Sequence, residues 1–169
     1  MIFIASMKTL LIIRHAKSSW DTATLSDFDR PLNERGKKDA PAMAKRLLEN
    51  KVTPELFIAS PAKRAKKTAE LFIKEFGKNE NEIVFISELY HAPADLFYDI
   101  IAKFDDKYNS IAIFSHNPGI TDFVNLLTTV QVDNMPTCGI FAVTSPANTW
   151  NEFSSAEKEF WFFDYPKTI

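Results

Sequence analysis

Leu10-Leu11-Ile12-Ile13 is an unbroken aliphatic run that ends abruptly in Arg14 and His15. Four consecutive apolar residues predict a strand covered on both faces, as in a parallel sheet. Short runs of the same kind recur at Leu56–Ala59, Ile83–Ile86, Ile111–Phe114 and Gly139–Thr144. Between them the period changes to that of a helix. Asn33 can cap a helix with Ala40, Met43, Ala44, Leu47 and Leu48 on one face, where Pro41 should mark a kink or a late start. Ser60 is a candidate N-cap, with Pro61 at the first helical position, for a helix through Ala65, Ala69, Phe72, Ile73 and Phe76 that Gly77 stops. Pro93 opens a helix through Leu96, Phe97, Ile100, Ile101 and Phe104, and His116-Asn117-Pro118-Gly119 turns into one carrying Ile120, Phe123, Val124 and Leu127. The tail, Thr149–Phe153 and Lys158–Tyr165, reads as a final strand pair whose Trp150, Trp161, Phe162 and Phe163 cover a sheet edge.

Strand alternating with helix predicts an α/β fold, three-layer α/β/α with a mostly parallel central sheet. There is no repeat, low-complexity tract or linker, so residues 1–169 read as one domain. Residues 1–6, ahead of Met7, read as a tolerated N-terminal extension, since a signal peptide would need a basic start and its cleavage would cut into the first strand. An apolar content of 46% with 15 phenylalanines favours a packed core over disorder. The net charge of −2 argues against a dedicated nucleic-acid binder. No stretch is long enough to span a bilayer. Cys138 is the lone cysteine and reads as a packed thiol in a reducing compartment, so a cytoplasmic protein is expected.

The chemistry collects at the junctions. Arg14-His15, Lys63-Arg64, Glu88 and His116 each follow a predicted strand, and in a parallel sheet those junctions share one edge. Groups able to bind or process an anion therefore converge from distant parts of the chain. No carboxylate cluster with metal spacing and no glycine-rich phosphate loop offers another route, so neither metal nor cofactor is expected.

The run Arg14-His15-Ala16-Lys17-Ser18-Ser19-Trp20, followed by Asp27-Phe28-Asp29-Arg30-Pro31-Leu32-Asn33-Glu34-Arg35-Gly36, resembles the signature of the histidine phosphatase superfamily. It looks most like the short SixA-type branch of phosphohistidine phosphatases. Ser60-Pro61-Ala62-Lys63-Arg64 and Ser115-His116-Asn117-Pro118-Gly119 resemble two further motifs of that superfamily. Ala16 departs from the pattern, standing where most members have glycine. The resemblance implies a phosphoglycerate mutase-like fold and a metal-independent phosphatase. In it His15 is the phosphoryl-accepting nucleophile, Arg14, Arg64 and His116 form the pocket, and Ser18 and Arg30 are substrate-binding candidates. It also implies a phosphohistidine-bearing protein as substrate, with inorganic phosphate as product, and neither nucleic acid nor membrane as partner. A small-molecule phosphomonoesterase or mutase would use the same pocket, with Glu88 as essential acid. A phosphate-binding module without turnover is the third reading.

Several residues keep two readings. Glu88 is either a general acid or a charge on the pocket rim. His91 is either a surface residue or a proton donor. Lys63, Lys66 and Lys67 are a solvated helix face or a docking patch for an acidic phosphoprotein. Asp27, Asp29 and Arg30 order the loop over the site or contact substrate, and Trp20 is a rim contact or part of a small satellite cluster.

Overall fold

The computed structural model describes residues 6–167, so most of the predicted N-terminal extension lies outside it. β1 (Lys8–Arg14) sits inside a six-stranded sheet with a paired strand on each side. Leu10 and Ile12 point into one apolar cluster and Leu11 and Ile13 into the other, all four fully buried. That alternation is why the sequence shows a continuous apolar run rather than a period of two.

The sheet order is β3-β2-β4-β1-β5-β6. β1 and β2 (Leu56–Ala59) both run parallel to β4 (Ser110–Ser115), and β3 (Val84–Phe85) runs parallel to β2. β5 (Ile140–Ser145) is antiparallel to β1, and β6 (Glu159–Asp164) is antiparallel to β5. One face is covered by α1 (Glu34–Glu49) and α2 (Lys63–Glu75), whose Ala40, Met43, Ala44, Ala69 and Phe72 join Leu11 and Ile13. The other is covered by α3 (Ala94–Ile101) and α4 (Gly119–Leu127) through Phe97, Ile101, Phe123 and Val124. Three layers result, α/β/α, as the alternation predicts.

Four local expectations are corrected. α1 starts directly after its Asn33 cap and continues through Pro41, so the proline does not delay it; the cap accepts the Gly36 N–H at 2.9 Å. Ser60 is not the cap of α2: Ala62 holds that place with no side-chain bond, and Ser60 is turned to another use. The third strand shrinks to Val84 and Phe85, about two-fifths exposed, because it lies at a sheet edge with one neighbouring strand. The tail supplies one strand, β6, instead of two. Thr149–Phe153 is a turn, and its Trp150 is buried against Phe104 and Phe153 with Nε1–H donated to the Tyr108 carbonyl at 2.8 Å. No helix among the described residues is long and apolar enough to cross a membrane.

At the amino end of β1, Lys8 is fully buried, and its ammonium donates to the carbonyls of Asp106 and Tyr108 and to Asn109 Oδ1 at 2.8–3.1 Å. These acceptors replace the water the charge loses, so this buried lysine reads as structural. The carboxyl ends of β1, β2 and β4 lie at the opposite edge, and there the other buried charges gather.

Candidate active site

β1 delivers Arg14 and His15 to that edge, and the chain then turns. Ala16 has no left-handed backbone, the described non-glycine residues with positive φ being Lys51, His91 and Cys138, so nothing in its conformation calls for the glycine of the resembled pattern. Its N–H donates to Thr68 Oγ1 at 2.9 Å, and the Thr68 hydroxyl donates to the Arg64 carbonyl at 2.7 Å, lashing the loop to α2. On the other side the Cys138 N–H is shared between the carbonyls of Arg14 and His15. Burial raises the Cys138 thiol far above its ordinary range, so it is an inert packed group.

His15 is 5% exposed. Its Nδ1 lies 2.8 Å from the Ala16 carbonyl, which can only accept, so Nδ1 carries the proton and Nε2 keeps its lone pair. Arg64 Nε–H points at that lone pair from 3.3 Å. Burial first, then the charges of Arg64, Arg14 and Arg30, lower the ring to about 3 against the pull of the Ala16 carbonyl. It is a neutral imidazole with one free nitrogen.

His116, from the end of β4, stands with its ring centroid 5.2 Å from that of His15. Its Nε2 is 2.7 Å from Ser60 Oγ, which also accepts the Ala62 N–H. The hydroxyl can give its hydrogen to Nε2, and in that tautomer Nδ1 is the protonated nitrogen. That Nδ1 is buried and has no partner among the described residues. Burial first, with the closeness of the His15 ring and the charge of Arg64, lowers this ring to about 2. Arg14 donates Nη1–H to the Met135 carbonyl at 2.7 Å, and its buried Nε also lacks a partner among the described residues. Burial, with the charge of Arg64, lowers its guanidinium. Two buried donors without acceptors, beside a neutral histidine and two guanidiniums, leave hydrogen-bonding capacity that a tetrahedral anion can take up. α2 and α4 both begin here with no side chain on their first N–H groups, which adds positive potential.

His15, Arg14, Arg64 and His116 are therefore brought together. Ser18 and Arg30 lie close by and are bonded to each other, Arg30 Nη1–H donating to Ser18 Oγ at 2.7 Å. The Arg30 guanidinium also lies over Trp20, 3.5 Å from the ring centre, which is what the tryptophan does in a polar loop. Glu88 is not brought in. It is exposed, in a groove with Leu56, Ile58, Leu96 and Lys103 whose lining includes none of the four pocket residues.

Sequence reasoning missed three contributors. Tyr90 donates its hydroxyl hydrogen to Asp27 Oδ2 at 2.8 Å and sets its ring edge-on to His116. Thr68 and Ser60 read as ordinary helix and cap residues, and their contacts come from elements far apart in the chain. Asp27, one of the loop residues with two readings, receives Arg64 as well: Nη2–H donates to Oδ2 at 3.0 Å and Nη1–H to the Asp27 carbonyl.

Fold and pocket together define an α/β enzyme built to handle phosphoryl-type anions with a histidine. Residues 10–91 match the family model described as histidine phosphatase superfamily (branch 1). An uncharacterized chloroplastic protein of Arabidopsis thaliana is 29% identical over 86% of this chain and 70% of its own length. A 2,3-bisphosphoglycerate-dependent phosphoglycerate mutase of Bartonella tribocorum is 33% identical over 46% of this chain, a match that spans 38% of the mutase. The solved structure of the protein histidine phosphatase SixA complexed with tungstate superposes with a TM-score of 0.78, covering 93% of this chain and 96% of that one at 24% identity. Over residues 10–91 the chain carries the pattern of the histidine phosphatase superfamily, and it has the phosphoglycerate mutase-like fold of SixA.

Proposed function

We propose that this phosphatase removes the phosphoryl group from phosphohistidine on a protein, through a covalent intermediate on His15. The observation that carries the reading is the tautomer of His15, with Nδ1–H held by the Ala16 carbonyl and the Nε2 lone pair turned toward Arg64. Nε2 attacks phosphorus, a P–N bond forms, and the substrate's P–N bond breaks with its electron pair left on the departing imidazole. The phosphorylated His15 ring keeps its Nδ1 proton and is cationic, which makes it a good leaving group for water in the second step. Arg14 and Arg64 supply fixed positive charge for the equatorial oxygens, and His116 Nδ1–H supplies a further donor.

The leaving group decides between substrates. An alkoxide needs a proton from a nearby acid, whereas an imidazole leaves more easily without one. Glu88 lies in a separate groove, and Asp27, beside Arg64, is ionised and has no proton to give: burial opposes this, but the Tyr90 hydroxyl and the Arg64 charge lower it to about 2. Both facts favour phosphohistidine over a sugar phosphate. A protein substrate is favoured by a groove of about 470 Å³ beside Arg64, where Lys37, Lys63, Lys66 and Lys67, with Asp29 and Glu70 among them, surround Phe28, Pro31 and Pro61. Cys138, a buried free thiol, fits the cytoplasmic setting that the reading assumes.

The test is to mix the protein with a labelled phosphohistidine carrier protein, quench in alkali and map the label, with a panel of sugar phosphates run in parallel. Acid-labile label on His15 and preferred hydrolysis of the carrier are expected. Label on another residue, or preference for a sugar phosphate, overturns the reading.

A further inference from the structure

Arg64 should hold the substrate's phosphoryl group, yet its fork is already taken, Nη2 by the Asp27 carboxylate and Nη1 by the Asp27 backbone carbonyl. The loop from Ser18 to Leu32 crosses the site and is tied at its base by the Ser18–Leu32 bridge and by the Ser19 N–H donating to the Pro31 carbonyl at 2.9 Å. At its tip a single turn, Asp27–Asp29, is capped by Ser26. This sets the Asp27 carboxylate against three side-chain donors from three parts of the chain. Oδ2 accepts from Arg64 Nη2 at 3.0 Å and from the Tyr90 hydroxyl at 2.8 Å, and Oδ1 accepts from Arg30 Nε at 3.1 Å. His91 Nε2 stands 4.0 Å from Oδ2. These are the groups a phosphoryl oxygen would seek, on the guanidinium that also touches the nucleophile. Arg64 is 4% exposed at its side chain and Asp27 is 40% exposed, so the buried partner is fixed and the carboxylate is the one with room to leave.

We propose that Asp27 is the resting occupant of the phosphoryl site, a carboxylate that the incoming phosphoryl group must displace from Arg64, Arg30 and Tyr90. This rests on the reading of His15 and Arg64 as the place of phosphoryl transfer and adds a determinant of ligand choice. One planar monoanion is exchanged for a tetrahedral group with more charge and more acceptors, so phosphoryl dianions win the exchange and carboxylates or monoanionic diesters do not. The same competition works in reverse after hydrolysis. Asp27 returns to the guanidinium and inorganic phosphate leaves.

The experiment is calorimetric titration of inorganic phosphate into the wild type, Asp27→Asn and Asp27→Ala, at one pH and ionic strength, with circular dichroism to show that each is folded. Asp27→Asn keeps the size and the hydrogen bond from Tyr90 while removing the charge, so it serves if the alanine variant does not fold. Phosphate should bind both variants about tenfold tighter or more, the scale of one charge-assisted hydrogen bond lost by a competitor, and should become a correspondingly stronger product inhibitor. Unchanged or weaker binding in the variants, with binding intact in the wild type, would mean that Asp27 only orients Arg64 and overturns the proposal. Phosphate binding to none of the three proteins overturns the phosphoryl site itself, and the resting occupant with it.

Discussion

Burial, with the surrounding guanidinium charge, keeps the His15 and His116 rings neutral, at about 3 and about 2. For catalysis this removes the usual acid limb of a histidine nucleophile. The rate of His15 phosphorylation in a single turnover should stay flat between about pH 8 and 5, and a fall centred near pH 6.5 would show that the ring is not buried as described. For stability the sign is the opposite of a paired histidine. The unfolded chain takes up protons below about pH 6.5 that these rings refuse when folded, so stability is full above that pH and declines as pH falls toward 3, by up to ~1.4 kcal/mol per pH unit for each ring. Urea midpoints against pH should show this slope in the wild type and a shallower one in His116→Gln. Asp27 acts in a separate window: its folded value near 2 adds stability that is present above its unfolded value and lost only as pH falls below about 4. At Arg64, lysine would keep the charge but lose the fork that spans His15 and Asp27. Arg64→Lys should lower kcat/KM by about a hundredfold, the range for removing a placed transition-state donor, with little change in folding.

The junctions between elements hold the site more than any single helix does. Thr68 is one turn along α2 from Arg64 and is the acceptor for the Ala16 N–H, so it joins α2 to the end of β1. Thr68→Val preserves shape and strands that buried N–H, for which a loss of about 1–3 kcal/mol is expected in denaturant unfolding, with Thr68→Ser restoring most of it. At the start of α1, a Cβ on Gly36 would run into the backbone carbonyl of Lys17, so the helix can lie against the His15 loop only with glycine there. The motif contains this glycine, and the close approach is its physical reason. The motif could not reveal that Ser60 serves His116 instead of capping α2. A serine before a proline at a helix start has the same local pattern in both roles, and the choice depends on a ring 56 residues away in sequence.

Across the molecule the charge is uneven even though the total is close to zero. The groove with Lys37, Lys63, Lys66 and Lys67 adjoins the loop that covers the pocket, which gives an acidic phosphoprotein a path in. Lys63→Glu combined with Lys66→Glu should raise KM for a phosphorylated carrier protein several-fold, more at low salt than at high, and leave turnover of a small phosphodonor unchanged. An equal loss on both substrates would place these lysines in the chemistry instead. All six described strands belong to one sheet.

The chain's own pattern of apolar runs determined the layers, the central strand and the edge at which Arg14, His15, Arg64 and His116 would meet, because burial on both faces and the parallel connection are local and periodic constraints. It could not determine which polar group pairs with which. Glu88 follows a strand as His116 does, yet its short edge strand and following turn leave it exposed in another groove. Asp27 looked like one acid among several in a loop, and it was the folding of that loop onto α2 that set it against Arg64. Hydrogen bonds and ion pairs act over a few ångströms between residues tens of positions apart, so only the tertiary structure could decide them.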